Sequence, residues 1–150
     1  MPLSKYTFSG AISHRYSFFG RGDSVVFLDY VACTGTESRL IDCPAGSSVA
    51  SYCSLHYYDA GVTCIGRLSV ICINFMTLQC AHAERDNSSM CIDGTIRLMG
   101  GVTKREGRVE ICHQHQWGSI CDNGWGVSDS QVVCRQLGFH VTGMLHTSYS

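Results

Sequence analysis

Ten cysteines stand in a chain of 150 residues, and they are the side chains best placed to do chemistry. Cysteines at this density bind metal, exchange electrons or form disulfides, and the compartment decides which. No two of them are spaced as C-x-x-C, which weakens the metal and redox readings. Cys112 with His113 and His115, and Cys80 with His82, bring thiol and imidazole together in sequence. Neither cluster has the spacing of a structural zinc site. The cysteines therefore read as a disulfide framework, which implies an oxidising compartment.

The remaining polar signals are shorter. Lys104, Arg105 and Arg108 form a small basic cluster at a turn. Such a cluster could contact a polyanion, and a solvated turn is its plain alternative. Arg21-Gly22-Asp23-Ser24 contains an integrin-recognition tripeptide, where a simple glycine turn is the plain alternative. Asn87-Ser88-Ser89 is a glycosylation sequon. No nucleophile stands beside a base, and Ser24 lacks the strand-to-helix setting of a nucleophile elbow. The chain reads as a binding protein, not an enzyme.

Composition narrows the partners. Hydrophobic residues make up 45% of the chain and charged residues 15%, with a formal net charge of -1. That balance predicts a globular domain and argues against bulk capture of nucleic acid or anionic membrane. Met1 to Ser13 carries Lys5 and no continuous apolar core, so it does not read as a signal peptide. The longest apolar run, Leu68 to Leu78, is shorter than the roughly 20 residues of a membrane span. The chain is therefore expected to be a piece, or an incomplete gene model, of a larger secreted or membrane-anchored protein.

Three segments must position these groups: residues 1–64, a linker at 65–93, and residues 94–150. In the first, Val25 to Val31 and Ala60 to Cys64 read as strands, and Gly46 to Ser54 as a loop. Thr36 is expected to cap a helical turn containing Glu37, Leu40 and Ile41, which Pro44 ends. In the last, Thr95 to Met99, Arg108 to Cys112 and Trp117 to Cys121 read as strands. Ser128 with Gln131 predicts a capping box before a short helix, with Gly138 as its C-cap. Trp117 and Trp125 are expected in the core.

Two long motifs run through these segments. Residues 94–139 read GTIRLMGGVTKREGRVEICHQHQWGSICDNGWGVSDSQVVCRQLGF, and the first segment holds FLDYVACTGTESRLIDC and DAGVTC. Together they resemble the scavenger receptor cysteine-rich domain, with the family's later half coming first. The resemblance covers about two thirds of the chain. It implies an α+β, β-rich fold, a curved sheet cradling one main helix and stapled by disulfides. It pairs Cys33 with Cys43, Cys53 with Cys121, and Cys64 with Cys134. Cys112 is left to pair with a linker cysteine (Cys72, Cys80 or Cys91) or to remain free.

Two arrangements follow from the reversed order. The halves belong to neighbouring domains of a tandem array, or they close on each other as a circular permutant. The linker's reach of roughly 100 Å far exceeds a domain radius of about 13 Å. The chain is expected to adopt the permuted form when it folds alone, while originating from a tandem protein. Removing residues 65–91 would leave an ordinary junction between domains, so that stretch is either a genuine linker or a retained non-coding segment.

The resemblance also implies a cation site, for which calcium is the expected ion, at Glu37, Asp122 and Asn123. Asn123 replaces the family's second aspartate and removes one charge. The segment CSLHYYDAGVTC departs from the family too, with one extra residue and with tyrosines in place of polar residues. The implied function is extracellular recognition of polyanionic, microbial or protein ligands, with neighbouring domains of the same family. Alternatives are an adhesion or architectural module and an accessory domain of a secreted enzyme.

Overall fold

The computed structural model describes residues 10–68, 72–74, 79–80 and 90–140. Among them the chain forms strands β1 (Ala11–His14), β2 (Val25–Leu28), β3 (Gly61–Cys64), β4 (Arg67–Leu68), β5 (Cys72–Asn74) and β6 (Gln79–Cys80). The strands β7 (Ile96–Gly100), β8 (Glu106–His113), β9 (Gln116–Ile120) and β10 (Phe139–His140) follow, with α1 (Val127–Gln136) between β9 and β10. The sequon at Asn87 lies outside the described residues, as do Met1 to Ser9.

Alternation explains β8, the longest strand. Val109 and Ile111 are fully buried in the core, while Arg108 and Glu110 point the other way. β7 lies along one edge of β8, with Ile96 opposite Ile111 and Gly100 opposite Gly107. The other edge is shared. β3 takes its first residues, with Gly61 opposite Arg108, and β9 takes its last, with Glu110 opposite Ser119. β1 extends the sheet antiparallel to β3, and β2 extends it parallel to β9. The result is a curled sheet in which strands from residues 1–64 and from residues 94–150 interleave.

α1 packs on β1 and β3. Its Val132 and Val133 meet Leu40, Val62, Ile120 and Trp125 in one apolar core. Trp125 satisfies its indole N–H on the Gly61 carbonyl at 3.1 Å. This is the expected α+β architecture. Close backbone approach explains one glycine of the QWGSIC motif: a Cβ on Gly118 would lie 2.2 Å from Phe27 Cδ2. Only glycine lets Phe27 of β2 lie flat on β9.

Four disulfides staple the described residues: Cys33–Cys43, Cys53–Cys121, Cys64–Cys134 and Cys91–Cys112. The second and third span 68 and 70 residues and join the first segment to the last. Cys112 thus takes its partner from the linker. Cys72 and Cys80 stand opposite each other in the backbone register of β5 and β6.

Several local expectations need correction. β2 stops at Leu28 and does not reach Val31, because the Asp29 carboxylate takes the Tyr30 N–H and Tyr30 turns left-handed at φ 51. The helical turn is a 3-10 turn at Leu40–Asp42, and Thr36 does not cap it. The Gly46 to Ser54 loop carries a second 3-10 turn, Ser51–Leu55, which buries Cys53. α1 is capped at Gly126, whose N–H donates to the Asp129 carboxylate at 2.8 Å, so neither Ser128 nor Gln131 makes the box. Gly138 follows the Leu137 cap with φ 86, the left-handed position that glycine fills without strain. Trp117 is only half-buried, beneath the Arg97 guanidinium at 4.3 Å. β1 itself has no counterpart in the sequence reading.

Candidate ligand-binding surface

Buried carboxylates hold the loops that reach the surface. Asp29, Asp59, Asp122, Asp129 and Glu110 are all at most 3% exposed. Burying a charge is costly unless donors surround it; here loop N–H groups supply them to the aspartates, and the Arg97 and Arg108 guanidinium groups supply them to Glu110. Asp29 accepts from the Tyr30 and Ala50 N–H groups and from the Asn123 amide. Asp122 accepts the Tyr16 N–H at 2.6 Å. Asp129 accepts the Cys33 N–H at 2.8 Å as well as that of Gly126. Burial nonetheless raises the Asp129 carboxyl above its usual range.

Asp59 sits in a second polar knot. It accepts from the Gly22 N–H at 2.7 Å and from the Ser119 hydroxyl at 3.0 Å, with His56 Nδ1 3.0 Å away. His56 Nε2 faces the Ser24 carbonyl at 2.7 Å. Serine, histidine and aspartate thus meet, a grouping the sequence reading missed. The connectivity is not that of a catalytic triad. Ser119 donates to the aspartate, and the same imidazole nitrogen faces both of its partners. Ser119 is also fully buried. The knot clamps the loop between β1 and β2.

The loops held this way expose a row of tyrosines. Tyr16 is 67% exposed, Tyr30 56% and Tyr52 43%. Tyr58 lies edge-on between two of them, with ring centroids 5.4 Å from Tyr52 and 6.1 Å from Tyr16. Tyr30 adjoins Tyr52, whose electrostatic influence and hydrogen bond raise the Tyr30 phenol above its ordinary value. The Asn123 amide donates to the Tyr52 hydroxyl at 2.7 Å. Arg15 stacks on Tyr16 at 5.3 Å, and Arg21 on Tyr57 at 4.5 Å. The Cys53–Cys121 bridge joins the Tyr52 turn to β9's end. The row is aromatic, with one guanidinium group on Tyr16 and another on the nearby Tyr57.

The residues expected to bind a cation are engaged separately. Glu37 accepts from Thr34 N–H, Thr34 hydroxyl and Gly35 N–H, and these bonds hold its carboxyl down at about 2. Asp122 faces Arg15 at 3.5 Å, a positive charge beside the position a cation would need. Asn123 turns its amide nitrogen to Asp29 and Tyr52. As placed, these three residues do not fit one shared calcium ion. Two other sets of ligand atoms lie within 4.8 Å of one another: Asp29 with Cys53 and Cys121, and Glu37 with Cys33 and Cys43. Their sulfurs are tied in disulfides and offer no thiolate.

The basic cluster is also dispersed. Arg108 is largely covered, paired with Glu110 at 2.9 Å and bonded to the Gly20 carbonyl. Arg105 donates to the Gly66 carbonyl and lies over Phe139. Lys104 is exposed and has no partner among the described residues.

Known proteins share this pattern. The family model for the scavenger receptor cysteine-rich domain matches residues 5–65 and 99–149. A scavenger receptor cysteine-rich domain superfamily protein of Patiria pectinifera is 36% identical over 121 residues. That match covers 81% of this chain and 8% of the relative's length, so the chain spans a small part of that relative. With cysteine framework, curled sheet and both long motifs in agreement, the chain belongs to the scavenger receptor cysteine-rich domain family.

Proposed function

We propose that this chain is an extracellular recognition module that binds a protein ligand through Tyr16, Tyr30, Tyr52 and Tyr58. The exposed tyrosine row carries this reading. Tyrosine and arginine are enriched at interface hot spots, because they bury large area at little conformational cost. The segment from Gly46 to Tyr58 adds serines and glycine around the rings, a composition suited to adaptable polar contact. The disulfides support an oxidising, extracellular setting. Residues 1–64 and 94–150 act in this reading as two halves of one domain closed in permuted order. The parent protein is larger, carries neighbouring domains of the family, and is secreted or membrane-anchored. The sequon at Asn87 suits such a setting.

A polyanionic or microbial ligand is the second reading, favoured by Arg15 and Arg21 beside the row and by Lys104 at its turn. Binding of the oxidised chain to dextran sulfate and to a panel of purified extracellular proteins separates the two. Loss of protein binding in Tyr16→Ala and Tyr52→Ala, with Lys104→Ala unaffected, supports the tyrosine row. Capture of dextran sulfate alone, abolished in Lys104→Ala, overturns it. Calcium assistance would require Arg15 to release Asp122, and binding unchanged by a chelator and by Glu37→Ala removes that part.

A further inference from the structure

We propose that the loop joining β1 to β2 presents Arg21 and Asp23 as a second recognition element. Its partner is an adhesion receptor whose pocket pairs a carboxylate with a coordinatively open divalent cation. The loop backbone is fastened on both sides of these residues. Ser17 donates its N–H to the Asp59 carbonyl at 3.2 Å and its hydroxyl to the His56 carbonyl at 2.6 Å. The Gly20 carbonyl accepts from Arg108 at 3.1 Å, and the Ser24 carbonyl faces His56 Nε2 at 2.7 Å. Gly22 donates to Asp59 at 2.7 Å, and a Cβ there would lie 3.1 Å from His56 Nδ1. A side chain here would press on the buried knot, and Gly22 separates two exposed charged neighbours.

Those neighbours are available for binding. Arg21 is exposed, with its guanidinium over the Tyr57 ring. Asp23 is exposed, and its carboxylate has no partner among the described residues. A guanidinium seeks a carboxylate in bidentate geometry, and a free carboxylate is a ligand for a hard cation. One receptor pocket offering both would engage this pair. Fastening the backbone beforehand lowers the ordering cost of that engagement. The buried acids nearby, Asp59 and Asp122, are satisfied internally and do not compete. This element uses residues distinct from the tyrosine row and stands independently of it.

The test is binding of the oxidised chain to a purified integrin ectodomain of the Arg-Gly-Asp-dependent class, with manganese present. Saturable binding, competed by a short Arg-Gly-Asp peptide, is expected. Asp23→Glu and Arg21→Ala should each weaken it by at least roughly tenfold. Both variants should keep the wild-type unfolding midpoint, and Tyr52→Ala should bind the integrin normally. Absence of saturable binding by the wild-type chain, or full binding by Asp23→Glu, overturns the proposal.

Discussion

Asp122 accepts the Tyr16 N–H at 2.6 Å across a separation of 106 residues. One buried carboxylate thereby sets the backbone of the most exposed tyrosine in the row. Tyr16 sits at φ 56, a left-handed conformation that its own side chain does not favour.

Replacing Asp122 with alanine should therefore act at two levels. It leaves the Tyr16 N–H without its acceptor, at about 1–3 kcal/mol. The ion pair with Arg15 adds little, because the Arg15 side chain is 43% exposed. Denaturant unfolding should show this loss, and binding through the tyrosine row should weaken in parallel. An unchanged midpoint would show that Tyr16 is held by other contacts.

Glu110 stands between two guanidinium groups, 2.7 Å from Arg97 and 2.9 Å from Arg108. Its side chain is 4% exposed and that of Arg108 12%. Glu110→Ala strands the covered Arg108 charge and should destabilise the chain by about 3–5 kcal/mol. The same arrangement makes Arg108 a structural residue. Arg108→Ala should lower the melting temperature, and the residue should not add a basic contact for a polyanion.

The bridges spanning 68 and 70 residues, Cys53–Cys121 and Cys64–Cys134, tie the two segments together. Closing loops of this length restricts the unfolded chain by roughly 4 kcal/mol each in the chain-entropy model. Replacing Cys64 and Cys134 together with serine should cost a comparable amount. Non-reducing peptide mapping of the oxidised chain should find both bridges within one monomer. The same peptides linked between two chains would mean that the segments exchange between copies.

Glu37 is held at about 2 against an ordinary 4.5 by the N–H groups of Thr34 and Gly35. Its folded carboxyl binds a proton less readily than its unfolded one, so its contribution to stability is fully present above 4.5. That contribution is lost as the pH falls from 4.5 toward about 2. The melting-temperature advantage of the wild-type chain over Glu37→Gln should therefore shrink across that window. An advantage that persists to the acid end would mean that the carboxylate charge is not what stabilises this turn.

The sequence alone determined the covalent and periodic features. Cysteine number and the absence of C-x-x-C pointed to a disulfide framework, because those signals are local. Alternation in Arg108 to Cys112 marked β8, since a strand with one face in the core writes that face every second residue. Val132 and Val133 likewise marked the buried side of α1.

Only the tertiary structure decided which polar residues are buried. Asp29, Asp59, Asp129 and Glu110 are indistinguishable in sequence from solvated acids, because the aspartates take donors from distant loops and Glu110 is covered only when β7 brings Arg97 beside Arg108. β1 was illegible because its identity depends on pairing with β3, some 50 residues later. The same holds for the candidate site. Tyr16, Tyr30, Tyr52 and Tyr58 are scattered along the chain and become one surface only when the sheet curls. Conversely, Lys104, Arg105 and Arg108 are close in sequence yet engaged separately, because Lys104 and Arg105 lie on the turn before β8, Arg108 lies within the strand, and each arginine finds its own carbonyl. Spacing along a chain fixes what can form locally, and burial among distant partners decides what remains available to a ligand.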